Sequence, residues 1–370
     1  MRDALAERLL AQVMGWSPED VARERPDLQA MADHKYDEYQ QFSPGMRFVE
    51  SLAVWLNNFE TKEERRIAYN FIKTHLVFIS EAETRLLVSI AYPDIIRPIL
   101  LKEAASLLSL PEFQVAKIAN STEFSLLRRK SLFLGLSDGA RMDYFRRVSG
   151  LNNEQVHIDY RIEPKTADDM GLKLRRDVET LTGNPGVASA ASFEIVFLLN
   201  DFSGSSDTLL RQENGEVKGK IAGAMNSVLG LQRLEPPLVT ASGAKVFVVL
   251  YTATEMALRN LEERLSSLCS TDWPACEVKT VYPLSEDIRV TPEKAPQFDV
   301  ILKKYYDPSI MDEHLEKGGP NVIYGYAGCA LPLVLSHNTP NNSLYLLWAS
   351  KPNLQKCALF PRVSRHREEL

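Results

Sequence analysis

Two kinds of chemistry-bearing residue follow one another closely in this chain: Asn200-Asp201, then Ser203-Gly204-Ser205-Ser206-Asp207-Thr208. Small residues let a backbone curl until several N–H groups face one anion, and hydroxyls add donors of their own. A carboxylate just upstream lies where it can hydrogen-bond the hydroxyls of a ribose. Asp207 works against such a site. One unit charge facing another at about 6 Å costs roughly 3 kcal/mol at an effective dielectric near 20, and a phosphate dianion feels more. Either Asp207 turns outward, as a cap for a following helix, or the loop does not hold a phosphate in the usual way.

Two further stretches carry candidate groups. Ser137-Asp138-Gly139-Ala140-Arg141 offers Gly139 for close backbone approach and Arg141 as a planar fork for phosphate oxygens. The same residues also suit a plain turn closed by an Asp138–Arg141 ion pair. His337-Asn338-Thr339-Pro340-Asn341-Asn342-Ser343 is richer in hydrogen-bonding groups than a turn requires. It suits a surface that reads a base edge or a second substrate, and it also suits a structural connection.

The elements that must position these groups are legible around them. Ile195 to Leu199 is an unbroken apolar run without helical periodicity, as expected of a strand buried on both faces of a parallel sheet. Leu209, Leu210 and Arg211 are expected to begin a helix, which would aim its N-terminus at the loop. Ser131–Leu136 reads as an early strand of the same sheet, opening its loop at the carboxyl edge where open α/β sheets bind ligands. Lys245–Tyr251 followed by Glu255–Ser267 repeats the strand–loop–helix unit, and Cys276–Leu284 reads as another strand. A helix is expected near Met170–Leu181 and another over Lys220–Arg233, with Gln212–Gly219 a polar, flexible link. Ala330–Ser336 reads as a late strand.

Residues 1–105 read as a helical domain, with capping boxes at Thr61/Glu64 and Ser80/Glu83 and a helix closed by Pro93. Trp55, Phe71 and Phe78 belong to its core. Residues 106–370 then form the α/β domain.

The chain has 370 residues, 45% hydrophobic and 25% charged, with a formal net charge of −6, which argues against a general nucleic-acid coat. Arg128 to Arg176 is locally basic, which suits either an anion site or a solvated surface. Cys269, Cys276, Cys329 and Cys357 form neither a C-x-x-C pair nor a zinc spacing, so free thiols in a reducing cytoplasm are expected and no metal cage is. No apolar run approaches the ~20 residues of a membrane span.

The stretch FLLNDFSGSSDT (197–208) resembles the phosphoribosyl-pyrophosphate (PRPP) motif of type I phosphoribosyltransferases: an apolar strand end, two adjacent acids, then a Gly/Ser/Thr loop around a 5′-phosphate. Here Asn200 stands where the first acid is expected, and Asp207 interrupts the loop. With YDEYQQFSPGMRFVESLAVWL (36–56), SLFLGLSDGARMDYFRR (131–147), SHNTPNNSLYLLWA (336–349) and LFPRVSRH (359–366), the chain resembles the phosphoribosyltransferase-like PRTase-CE family of prokaryotic conflict systems.

The resemblance implies a type I phosphoribosyltransferase-like central parallel sheet with an N-terminal helical domain. It implies a cytoplasmic antiphage-defence setting, in some cases beside retron reverse transcriptases, with other defence-system proteins as partners and nucleic acid involved only indirectly. Asp201, with Asn200 beside it, is expected to face the ribose, and Ser203, Gly204, Ser205, Ser206 and Thr208 the 5′-phosphate. Gly139, Arg141 and Mg²⁺ would meet pyrophosphate. His337 would address the base or another acceptor, with Asn338, Asn341 and Asn342 lining its pocket. The expected function is a defence effector acting on PRPP or a nucleotide at ribose C1′. The alternative is a non-catalytic nucleotide sensor, or an inactive partner protein with the same fold.

Overall fold

The apolar run Ile195–Leu199 lies in the central strand of a five-stranded parallel sheet in the computed structural model, which describes residues 3–241, 243–268, 273–350 and 357–363. In chain order the strands are β1 (Val77–Ile79), β2 (Ser131–Gly135), β3 (Val156–His157), β4 (Ile195–Ser203) and β5 (Arg211–Glu213). They continue with β6 (Glu216–Lys218), β7 (Lys245–Thr254), β8 (Cys276–Leu284) and β9 (Leu333–Leu335).

The main sheet runs β3-β2-β4-β7-β8 with every pairing parallel. This is the 2-1-3-4-5 order of one common doubly wound sheet. The chain lays β3 outside β2, then crosses to β4 on the other side, so the order reverses between β2 and β4. Period-2 alternation divides the strand residues between two cores. Phe133, Phe197, Phe247, Val249 and Tyr251 pack on one face, with helix Arg97–Leu108 contributing Leu100 and Ala104. Leu134, Val196, Leu198, Val248 and Leu250 pack on the other, against helices Pro164–Thr182 and Lys220–Gln232.

The chain forms two compact units: Thr84–Ser285, which holds this sheet, and Met1–Glu83 together with Glu286–Leu370. The expected boundary at residue 105 therefore moves, and the C-terminal section belongs with the N-terminal helices. The reason is apolar. Phe360 is fully buried among Tyr36, Tyr39, Phe42, Phe48 and Phe78, stacked on Phe48 at 5.9 Å between centroids. The late strand, shorter than expected, pairs with β1 and not with the main sheet: Val77, Phe78 and Ile79 lie opposite Leu333, Val334 and Leu335.

Both capping boxes form. Thr61 and Glu64 exchange bonds at the start of helix Lys62–His75, and Ser80 and Glu83 do so before helix Glu81–Ile90. Pro93 does not end the latter helix as expected. The chain passes through a wide π-type turn, Ala91–Ile96, into helix Arg97–Leu108, which accommodates the missing proline N–H without a break. Trp55, Phe71 and Phe78 are buried core residues. Among the described residues no helix is long and apolar enough to cross a membrane. Cys276, Cys329 and Cys357 are in no disulfide among the described residues, and Cys269 lies outside them, as do Ser364 to His366.

Candidate functional site

The carboxyl ends of β2 and β4 meet where the strand order reverses, which is where open α/β sheets form a ligand crevice. Both loops singled out from the sequence are there, and they touch. Ser137 Oγ donates to Asp201 Oδ1 at 2.8 Å. A Cβ at Gly139 would come within 2.1 Å of Asp201 Oδ2, so this loop can lie against the carboxylate only because residue 139 has no side chain. Tyr251, on the same face of the sheet, donates its hydroxyl to Ala140 O at 2.7 Å. Burial pushes that phenol well above its ordinary pKa, and the Asp201 charge adds to the effect, so the proton stays on Tyr251 and the bond to Ala140 persists. Arg141 has a left-handed backbone, φ 47°, at the step from this loop into helix Met142–Ser149. Asp138 is exposed and in no ion pair among the described residues, so the plain-turn reading loses its Asp138–Arg141 pair.

Asn200 and Asp201 are neighbours in β4 and therefore face opposite sides of the sheet. Asp201 is half-buried and shares its face with Tyr251. Asn200 is 1% exposed and donates Nδ2 to Phe202 O at 2.8 Å, while its Oδ1 is buried without a hydrogen-bond partner.

The loop after β4 is held from one side. Thr254, at the end of β7, donates to Gly204 O at 2.6 Å and accepts from Ala257 N, starting helix Glu255–Leu268. Asn260 in that helix donates to Ser205 O at 3.1 Å. One turn on, Arg264 reaches Ser206 Oγ at 3.0 Å, Leu210 O, and Asp207 Oδ1 at 2.7 Å. In a planar trans peptide the N–H points opposite to the C=O. Bonding the carbonyls of Gly204 and Ser205 to this helix therefore turns the N–H groups of Ser205 and Ser206 away from it. Neither N–H finds an acceptor among the described residues, although both residues are buried. Buried amides are rarely left in that state. Ser206 is also left-handed, φ 76°, and such a corner between successive amides shapes an anion-binding nest.

Asp207 does not cap a helix. Its carboxylate is tied to Arg264, which answers most of the repulsion argued from the sequence. The helix expected from Leu209 to Arg211 is not there either. After a turn in which Leu209 N and Leu210 N donate to Ser206 O, the chain forms the hairpin β5–β6. Asn214 and Gly215, φ 55° and 82°, make its two-residue turn. Asn-Gly between short polar runs is a strong hairpin signal, and it outweighs the helix propensity of the preceding leucines. The next helix starts only at Lys220, after Gly219, whose φ is 117° and where an added Cβ would come within 2.4 Å of Leu209 O, so no other residue fits without strain. The loop's donors are thus its own amides and hydroxyls, not a helix N-terminus. Thr208 is exposed, and Ser203 is buried at the strand end.

His337, Asn338, Asn341 and Asn342 lie in the other unit, and the side chains expected to line an acceptor pocket have partners there. Asn338 bonds Val363 in both directions at 3.3 Å, and Asn341 meets His314 at 3.3 Å. Asn342 donates to Tyr326 O and Cys329 Sγ. The His337 carbonyl accepts from Gln41 at 2.8 Å. Thr339, fully buried, bonds Tyr39 and Phe360 O. Asn338 and Thr339 tie this run to the segment carrying Phe360, and Asn341 and Asn342 tie it to His314, Tyr326 and Cys329, which accounts for a polar run longer than a turn needs. Arg264, Asn260 and Thr254 were not singled out from the sequence. They stand about fifty residues or more beyond the loop, and only the periodic polar positions of their helix hinted at a second face in use.

A family model described as PRTase-CE matches residues 52–362, which is most of the chain. No curated protein and no solved structure matches it.

Proposed function

The chain belongs to the PRTase-CE family, phosphoribosyltransferase-like proteins, and from that membership we propose that its switch-point crevice binds a 5′-phosphorylated ribose and acts at ribose C1′. The observation that carries the reading is the Ser203–Thr208 loop, with the N–H groups of Ser205 and Ser206 turned from the bracing helix beside Asp201. In this reading the loop amides and hydroxyls hold the 5′-phosphate, and Asp201, oriented by Ser137, accepts from the ribose hydroxyls. As the bond from C1′ to the leaving group breaks, positive charge grows on the ribose and the Asp201 carboxylate stabilises it. The leaving group departs with the bonding pair, and an acceptor or water forms the new bond to C1′.

PRPP and a nucleotide are both suitable ligands. Mg²⁺ bound to the diphosphate of PRPP would neutralise part of its charge. Its protein ligands would be few, since no three His, Cys, Asp or Glu side chains converge among the described residues. Gly139 and Arg141 belong to the loop that would meet that diphosphate. As an antiphage effector, alone or with other defence-system proteins, such an enzyme would drain a cellular phosphoribose or nucleotide pool.

One observation favours a second reading, a nucleotide sensor or inactive partner protein. Asn200 supplies no charge where the motif has an acid, and its face is closed. Calorimetric titration with PRPP and Mg²⁺ separates binding from its absence, and product analysis then separates turnover from sensing. Asp201→Ala is expected to fold normally and lose binding by tenfold or more. Unchanged affinity would remove Asp201 from the site.

A further inference from the structure

We propose that Arg264 is the positioning residue that makes the loop receptive to an anion, by cancelling the Asp207 charge and by holding the loop's outer side to the helix. The inference rests on the phosphate reading of Ser203–Thr208 and adds to it a residue that touches no substrate. Three observations carry it. Arg264 bonds three successive parts of the loop, Ser206 Oγ, Asp207 Oδ1 and Leu210 O, through two of its guanidinium nitrogens. The pair it makes with Asp207 is largely shielded, the two side chains being 34% and 19% exposed, so the charge is met locally and not by solvent alone. Ser206, bonded by Arg264 and next to Ser205, whose carbonyl Asn260 bonds, has a left-handed backbone that needs surrounding structure to persist.

The two roles separate on paper and in the test. Without Arg264, Asp207 stands uncompensated within a loop that must accept a phosphate, and like charges at this range oppose binding. Removing Asp207 as well takes the opposing charge away but does not restore the brace. Lysine at 264 keeps a positive charge but loses the planar fork that meets several acceptors at once.

The test is a titration with ribose 5-phosphate of the full chain and four variants: Arg264→Ala, Arg264→Lys, Asp207→Asn, and Arg264→Ala with Asp207→Asn. Arg264→Ala is expected to weaken binding at least tenfold. Asp207→Asn should bind as tightly as the parent or more tightly, Arg264→Lys should fall between, and the double variant should regain most of the loss. Wild-type affinity in Arg264→Ala overturns the proposal, as does a double variant no better than Arg264→Ala.

Should the parent itself fail to bind ribose 5-phosphate, the phosphate reading falls. The brace is then decided by hydrogen exchange at the amides of residues 204–210. Faster exchange in Arg264→Ala, with the rest of the sheet unchanged, upholds the brace; exchange like the parent's overturns it.

Discussion

Asn200 and Asp201 show how one residue step along a strand changes what a carboxylate costs. Asp201 has Ser137 as a donor and remains half-exposed, so its charge is tolerated. Position 200 is 1% exposed on the opposite face, with Leu198 and Leu250 among the core residues there. An acid at this position would be an ion in an apolar layer, and amide chemistry avoids that penalty. Asn200→Asp is therefore expected to lower stability at pH 7 by about 2–4 kcal/mol. The sign with pH follows from burial, which raises the folded-state pKa above the unfolded ~3.9. Destabilisation is absent below that unfolded value and grows as pH rises through the folded one. Urea unfolding at pH 4 and pH 7 checks this; a loss that is the same at both would mean the new carboxyl is solvated or paired.

At the scale of elements, helix Lys62–His75 and helix Pro296–Lys304 are joined by Glu64, which bonds Lys304, the N–H of Thr61 and the Tyr305 hydroxyl. Burial acts to raise the Glu64 carboxyl, but these donors outweigh it and bring the pKa down to about 2. A depressed carboxylate contributes stability above its unfolded pKa of about 4.3, and that contribution is lost as pH falls toward 2. Glu64→Gln should accordingly be less stable than the parent at pH 6, with the difference shrinking between pH 4.5 and 2.5 in urea unfolding. A constant difference would assign the effect to packing. The same scale shows what a sequence reader can see. β4, β7 and the helix after β7 were legible because apolar runs and helical periodicity are local signals, as are the capping boxes at Thr61 and Ser80. The hairpin after Leu210 was equally local, in Asn214-Gly215, but the leucines before it resembled a helix start. Arg264's partnership with Asp207 and the pairing of Leu333–Leu335 with Val77–Ile79 join distant residues, and no local pattern encodes the partner. For the same reason the turn chemistry of residues 337–343 suited a surface for a ligand as well as a structural connection.

For the whole molecule the consequential fact is that Met1–Glu83 completes its core with residues from Glu286–Leu370. Phe360→Ala should cost about 3–5 kcal/mol, the usual range for emptying a buried aromatic site. Hydrogen exchange should locate the loss in helix Phe48–Leu56, leaving β4 and β7 protected; unchanged protection in that helix would mean its core closes without Phe360. The same arrangement has a consequence in time. A ribosome delivers the first eighty-odd residues early, then makes the whole of Thr84–Ser285 before the chain that carries Phe360 emerges. At ~5–20 residues per second that interval is roughly 10–40 s. Throughout it the apolar side of helix Phe48–Leu56 waits without Phe360, and by its end the sheet has all its strands. Of the two units, the one whose synthesis begins first is the one that finishes last, so the helices before Thr84 keep apolar surface uncovered for longest.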